Sequence, residues 1–94
     1  RRMLLLMRSQ TVAMRALAYA TASQLDRLHH EDSDDARIAA ELRLSFLTPV
    51  VNGWNTETAQ EVTSLGVQIP GGMGYVEETG AAQHMRDARI LQIY

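Results

Sequence analysis

The first third of the chain carries an apolar stripe whose spacing constrains its secondary structure strongly. Small or apolar residues recur there in alternating steps of three and four positions, at Leu4, Met7, Thr11, Met14, Ala18, Thr21, Leu25 and Leu28. An α-helix places such positions on one face, whereas a half-buried strand needs alternation at every second residue. The stripe predicts a helix over residues 2 to 28 that packs on a neighbouring helix. A helix lying on a membrane surface is the alternative, and the absence of lysine from its polar face disfavours it.

A polar run, HHEDSDD at residues 29 to 35, interrupts this pattern. Its acidic side chains suit the positive end of a following helix, so we expect a connector with Asp32 or Ser33 as the N-cap. The adjacent histidines and Glu31 could suggest a metal site. Neighbouring residues point in different directions, however, and the sequence offers no third distant ligand, so we expect none.

The second helix is predicted to span residues 35 to 69. Its apolar positions drift around the helix, at Ile38, Leu42, Phe46, Trp54, Val62, Leu65 and Ile69. Pro49 lies inside this segment, where its ring clashes with the preceding turn and no backbone N–H is available. We therefore expect a kink or a break between Leu47 and Val51, which leaves one bent helix or two shorter ones.

Proline and glycine at Pro70, Gly71, Gly72 and Gly74 are expected to end the second helix and to begin a loop. Thr79 is the expected cap of a short third helix that runs through Ala88, followed by a compact apolar tail from Ile90 to Tyr94. No segment shows the sustained alternation of a strand. The sequence thus predicts an all-α helical bundle with two long antiparallel helices and a short third helix after a glycine-rich loop.

The chain has 94 residues, of which 46% are hydrophobic, so we expect residues 1–94 to form one globular unit or part of one domain. A unit this small is marginal alone, so we expect self-association. The net charge of −2 argues against nucleic-acid binding, and no apolar run reaches the length of a membrane span. The absence of cysteine suits the cytoplasm. The chain opens on Arg1 and breaks off without a capping glycine, so we expect a fragment of a larger protein.

Two motifs could carry chemistry. The glycines of GGMG at 71 to 74 let backbone N–H groups converge on an anion, although without further information a purely structural turn is the better explanation. Arg86 and Asp87 lie in an apolar segment, where charges are usually paired, so we expect a structural ion pair or cap. No nucleophile and base, or pair of acids, has catalytic spacing, and the residues alone indicate only a helical module.

Three blocks at the end of the chain resemble the C-terminal signature of flavin-dependent acyl-CoA dehydrogenases. They are VQ-x-x-GG-x-G at 67 to 74, RDARI at 86 to 90 and QIY at 92 to 94. The two long helices upstream also resemble that family's C-terminal bundle in length and order. The resemblance implies FAD as cofactor, bound mainly by a neighbouring subunit. The diphosphate and adenosine side of FAD would contact a short segment of this chain, namely Gln68, Ile69, Pro70, Gly71 and Gly72.

The same resemblance implies a reaction and partners. Tyr94 matches the position just before the family's usual catalytic glutamate and would border the acyl thioester, so no catalytic residue is expected within the chain. The implied reaction oxidises an acyl-CoA to the trans-2-enoyl-CoA in fatty acid metabolism, with electron-transferring flavoprotein as acceptor and a homo-oligomer as the working form. The isolated fragment is expected to be inactive and to bind no FAD tightly.

The segments LTPVV at 47 to 51 and EETG at 77 to 80 resemble one subgroup, the larger bacterial acyl-CoA dehydrogenases that include methylthiopropanoyl-CoA dehydrogenases. Two other interpretations stay open at this point. One is an acyl-CoA oxidase or another flavoprotein relative, which oxygen reactivity of the reduced flavin would distinguish. The other is a free-standing helical interaction module in which GGMG is only a turn.

Overall fold

Four α-helices make up the computed structural model, which describes all residues, 1–94, and contains no strand. The order is α1 (Arg2–His30), α2 (Asp34–Gln68), α3 (Gly72–Tyr75) and α4 (Ala81–Ile93), with one 3-10 turn at Glu77–Thr79. The predicted all-α class is confirmed. The segment after Gln68 is not a plain loop as expected, because it contains α3 and the 3-10 turn.

The two long helices run antiparallel, as predicted. Three contacts show the direction: Met7 Cε lies 3.7 Å from where a Cβ on Gly66 would stand, Gln10 Nε2 donates to Glu61 Oε2 at 2.7 Å, and Asn55 Nδ2 donates to the Met14 carbonyl at 3.5 Å. Residue numbers thus rise along α1 while those of their partners fall along α2. A connector of three residues between the helices suffices for this reversal.

The packing face of α1 repeats every seven residues rather than following the predicted stripe throughout. Met7, Met14, Thr21 and Leu28 are all half-buried, whereas Leu25 is exposed. In a seven-residue repeat, the same face of the helix returns every 3.5 residues on average. Between Thr21 and Leu28, the residue on the packing face is therefore Gln24, which is half-buried, and not Leu25. The predicted stripe was therefore right along most of α1 and wrong at Leu25 and at the exposed Leu4.

Ser33 is the N-cap of α2, and its Oγ accepts a hydrogen bond from the Ala36 N–H at 3.4 Å. The alternative cap, Asp32, lies one residue too early, because α1 continues to His30 and α2 begins at Asp34. Downstream, α2 passes through Pro49 without a break, so of the two predicted arrangements the single long helix is correct. Pro49 is exposed, so water can reach the carbonyl that lacks its helical N–H donor.

The helix α2 lies at the centre of the fold. Both α1 and α4 pack on α2, and they do not pack on each other. The molecule is thin and elongated, with extents of 56 × 29 × 17 Å. Only four residues are consequently buried, namely Ala40, Thr58, Gly74 and Ala88. Large apolar side chains such as Ile38, Leu42 and Phe46 remain exposed.

Candidate functional site

The segment predicted to contact a cofactor forms the turn that leaves α2. Gln68 is the last residue of α2, and the Gly71 N–H donates to its carbonyl at 3.2 Å. All five residues from Gln68 to Gly72 are exposed. Gly71 has φ +60° and ψ −134°, a conformation that residues with a Cβ rarely adopt. The turn therefore projects from the surface, and glycine is required at its sharpest point.

The glycines of this turn differ in what surrounds them. A Cβ on Gly71 or Gly72 would meet no atom within 4 Å, so the space beside the backbone is open. A Cβ on Gly74 would lie 2.1 Å from the Val67 carbonyl oxygen, because α3 rests directly against the last turns of α2. Gly71 and Gly72 thus leave the turn accessible, while Gly74 allows close packing of α3 on α2.

Substituting Gly71 with alanine should destabilise the protein by about 1–2 kcal/mol, because the added Cβ strains the positive φ although it meets no neighbour. Gly72→Ala is the matched control, since Gly72 has ordinary φ and equally open surroundings. Chemical denaturation of both variants tests this. Equal unfolding midpoints for the two variants would contradict the positive φ of Gly71.

Thr79 does not cap α4 as predicted. The N-cap of α4 is Gly80, with φ +77° and no side-chain hydrogen bond. The Thr79 hydroxyl instead donates to the Met73 carbonyl at 2.7 Å and lies 3.1 Å from the Val76 carbonyl. Thr79 consequently joins the 3-10 turn to α3 and keeps this connecting segment compact.

Arg86 pairs with Glu77, and not with Asp87 as predicted. Its Nη1 and Nη2 donate to Glu77 Oε1 and Oε2, each at 2.8 Å, so the pair is bidentate. Both side chains are largely exposed. The hydrogen bonds from Arg86, together with its positive charge, hold the pKa of Glu77 below its ordinary value of 4.5. The pair was missed because nine residues separate its members across a turn, a spacing that no helical pattern indicates.

The lowered pKa of Glu77 predicts a specific pH dependence. The ion pair is fully formed above pH 4.5 and is lost as the pH falls through the lower pKa of the folded state, whereas Arg86 stays charged throughout, its pKa being raised by the same pair. In Arg86→Gln, the pKa of Glu77 should rise towards 4.5. An NMR titration of the Glu77 carboxyl carbon measures both values. The same midpoint in the two proteins would contradict the pairing.

Tyr94 lies at the far end of α4 from the glycine-rich turn, and its ring is exposed. Its N–H donates to the Ile90 carbonyl at 3.0 Å, so α4 continues almost to the last residue. The predicted compact apolar tail is therefore wrong, since Ile90, Leu91 and Ile93 are helical and exposed. With 13 residues, α4 is about 20 Å long, and Tyr94 lies at its C-terminal end.

Two further features are absent from the structure, a metal-binding cluster and a membrane-spanning helix. No group of three or more histidine, aspartate or glutamate side chains is placed to hold a metal ion. None of the helices combines the length and the apolarity that crossing a membrane demands. The candidate contact points are therefore the exposed glycine-rich turn that precedes α4 and the exposed ring of Tyr94 at the end of α4.

Comparison with known proteins identifies the family to which this chain belongs. The model of the acyl-CoA dehydrogenase C-terminal domain matches residues 1–94. The 3-methylmercaptopropionyl-CoA dehydrogenase of Ruegeria pomeroyi is 57% identical over 94 residues, which are 100% of this chain and 16% of that protein. The butyryl-CoA dehydrogenase of Syntrophomonas wolfei is 30% identical over 94 residues, again 100% of this chain and 15% of that protein.

A third relative, the cyclohex-1-ene-1-carbonyl-CoA dehydrogenase of Geobacter metallireducens, is 37% identical over 83 residues, 88% of this chain and 21% of that protein. The chain thus spans well under a third of the length of these relatives. No solved structure matches it significantly. Because the family match extends over the whole sequence and agrees with the all-α fold, the chain belongs to the acyl-CoA dehydrogenase family.

Proposed function

We propose that residues 1–94 form part of the C-terminal helical bundle of an FAD-dependent acyl-CoA dehydrogenase. The observation that carries the proposal is the exposed turn from Gln68 to Gly72, whose glycines leave the backbone open beside a side-chain amide. The protein would oxidise an acyl-CoA thioester to the trans-2-enoyl-CoA. A carboxylate would take the α-proton, and FAD, when bound, would accept the β-hydride with its electron pair. Electron-transferring flavoprotein is the proposed acceptor of those electrons.

The turn fits the diphosphate and adenosine side of FAD. Phosphate oxygens are bound well by backbone N–H groups, and no Cβ shields the backbone at Gly71 or Gly72. The Gly71 N–H already donates to the Gln68 carbonyl, so the Gly72 N–H is the one proposed to bind phosphate. Gln68 adds a side-chain amide, and Pro70 holds the turn outside the helix. When bound, FAD supplies the hydride acceptor of the reaction. The role of Gln68 to Gly72 is to hold and orient, and FAD is proposed to be shared with a neighbouring subunit of a homo-oligomer.

Tyr94 is proposed to border the acyl thioester. Its exposed ring at the end of α4 offers an apolar surface with a polar tip. The catalytic base is proposed to be a glutamate directly after Tyr94, and the groups that hold the flavin ring belong to other parts of the protein. Base, thioester and flavin come from different segments, so the helices contribute by fixing their relative positions.

The higher identity to a 3-methylmercaptopropionyl-CoA dehydrogenase than to a butyryl-CoA dehydrogenase supports a short acyl group that contains a thioether. The test is steady-state kinetics of the full-length protein on 3-methylmercaptopropionyl-CoA, butyryl-CoA and a long-chain acyl-CoA. We expect the highest kcat/KM on the first and the lowest on the last. Preference for the long chain would contradict the substrate class, and rapid reoxidation of the reduced flavin by oxygen would favour an oxidase.

A further inference from the structure

The segment between α2 and α4 is connected to both helices. At its beginning, the backbone of Gly74 is buried against Val67 of α2. Towards its end, Thr79 joins the 3-10 turn to the carbonyl of Met73. In the same turn, Glu77 binds Arg86 of α4, and this pair is the one side-chain hydrogen-bonded link from the segment to α4. The orientation of the 3-10 turn relative to α4 is therefore fixed in part by that pair.

The geometry of the pair is specific although its side chains are exposed. Two parallel bonds of 2.8 Å between a planar guanidinium and a carboxylate fix orientation as well as distance. Exposed ion pairs contribute little to global stability, because water and salt screen them. A pair of this kind mainly fixes the relative position of the two segments that it joins. Both members of the pair line a pocket, together with Val67, Tyr75 and Met85.

We infer that Glu77 and Arg86 are positioning residues for FAD binding, which they promote by holding the glycine-rich turn in a fixed place relative to α4. The inference rests on the proposed function, in which that turn contacts FAD. The pair does not itself need to touch the cofactor. Without the pair, the segment that follows the turn loses its side-chain link to α4. The conformation of Gln68 to Gly72 that binds FAD then becomes one of several conformations that the turn adopts.

The chain provides matched controls for both members of the pair. Glu78 is the neighbouring carboxylate and is exposed without an ion-pair partner. Arg89 lies one helical turn beyond Arg86 and bonds only Gln92 within α4. Glu78→Gln and Arg89→Gln therefore remove the same charges from the same surface without breaking the link to α4.

The experiment uses the full-length protein, prepared free of flavin and titrated with FAD. In Glu77→Gln and Arg86→Gln, the Kd for FAD should rise about threefold to fivefold, while kcat at saturating FAD stays nearly unchanged. The charge-reversed double variant, Glu77→Arg with Arg86→Glu, should return the Kd to within about twofold of the wild type. The two control variants should bind FAD like the wild type, and thermal unfolding should shift by less than about 2 °C in every variant.

Two results would overturn the inference while leaving the proposed function intact. In one, Glu77→Gln and Glu78→Gln weaken FAD binding equally. In the other, the charge-reversed double variant binds FAD as weakly as Glu77→Gln and Arg86→Gln. A wild-type protein that binds no FAD at all would instead overturn the proposed function, and the inference with it.

Discussion

Replacing Gly74 with alanine is expected to destabilise the protein by at least about 3 kcal/mol, because the new Cβ collides with backbone. The Cβ would lie 2.1 Å from the Val67 carbonyl oxygen and 2.9 Å from the Val67 carbonyl carbon. A flexible side chain could rotate away from such a contact, but these atoms belong to the last turns of α2. Relief therefore requires α3 to move off α2, which breaks the packing of the glycine-rich segment.

The same substitution at Gly53 serves as the control and should have the opposite sign. Gly53 lies inside α2, and a Cβ there would meet no atom within 4 Å. Alanine is favoured over glycine by about 0.5–1 kcal/mol in a helix interior, so Gly53→Ala should stabilise. Thermal and urea unfolding measure both variants. A Gly74→Ala protein as stable as Gly53→Ala would contradict the close packing of α3 on α2.

Residues 1–94 expressed alone are expected to self-associate. Ile38, Leu42 and Phe46 are 56%, 69% and 69% exposed, and they repeat every four residues along one face of α2. The radius of gyration is 17.2 Å, against about 12 Å for a compact domain of this length. So extended a fold leaves too much apolar surface in water to be stable as a monomer. Sedimentation should give a mass well above the 10.5 kDa of one chain.

The same isolated chain should contain no flavin and show no dehydrogenase activity. All five residues proposed to contact FAD lie on one exposed turn, which can reach only one side of the cofactor. Small-molecule sites normally enclose most of the ligand surface, and this turn does not. Absorption spectra after dialysis against FAD, together with an acyl-CoA oxidation assay, test the expectation. A monomeric, yellow preparation would contradict both this prediction and the preceding one.

The helices were predictable because their signals are local. The spacing along α1, the polar connector and the proline and glycine after Gln68 placed both long helices to within two residues of their ends. The exposure of Leu25 was not predictable in the same way. It depends on the seven-residue repeat with which α1 packs on α2, and this repeat becomes evident only when the partner helix is known.

The separate roles of the glycines could not be predicted from the sequence. The motif GGMG does not distinguish them, yet Gly71 has a positive φ and Gly74 packs closely on Val67. Only the second role involves a residue outside the motif. The pairing of Glu77 with Arg86 likewise depends on how the 3-10 turn orients the chain, and the adjacent Asp87 was the more obvious partner from sequence alone.

The central claim is that these helices belong to a flavoprotein that oxidises acyl-CoA thioesters. Anaerobic titration of the purified full-length protein with 3-methylmercaptopropionyl-CoA tests it most directly, with the flavin spectrum and the product both recorded. We predict a bound flavin whose oxidised absorption is bleached by substrate, and a product that has lost two hydrogens as the trans-2-enoyl thioester. A protein without flavin, or a flavin whose spectrum no acyl-CoA changes, would contradict the claim.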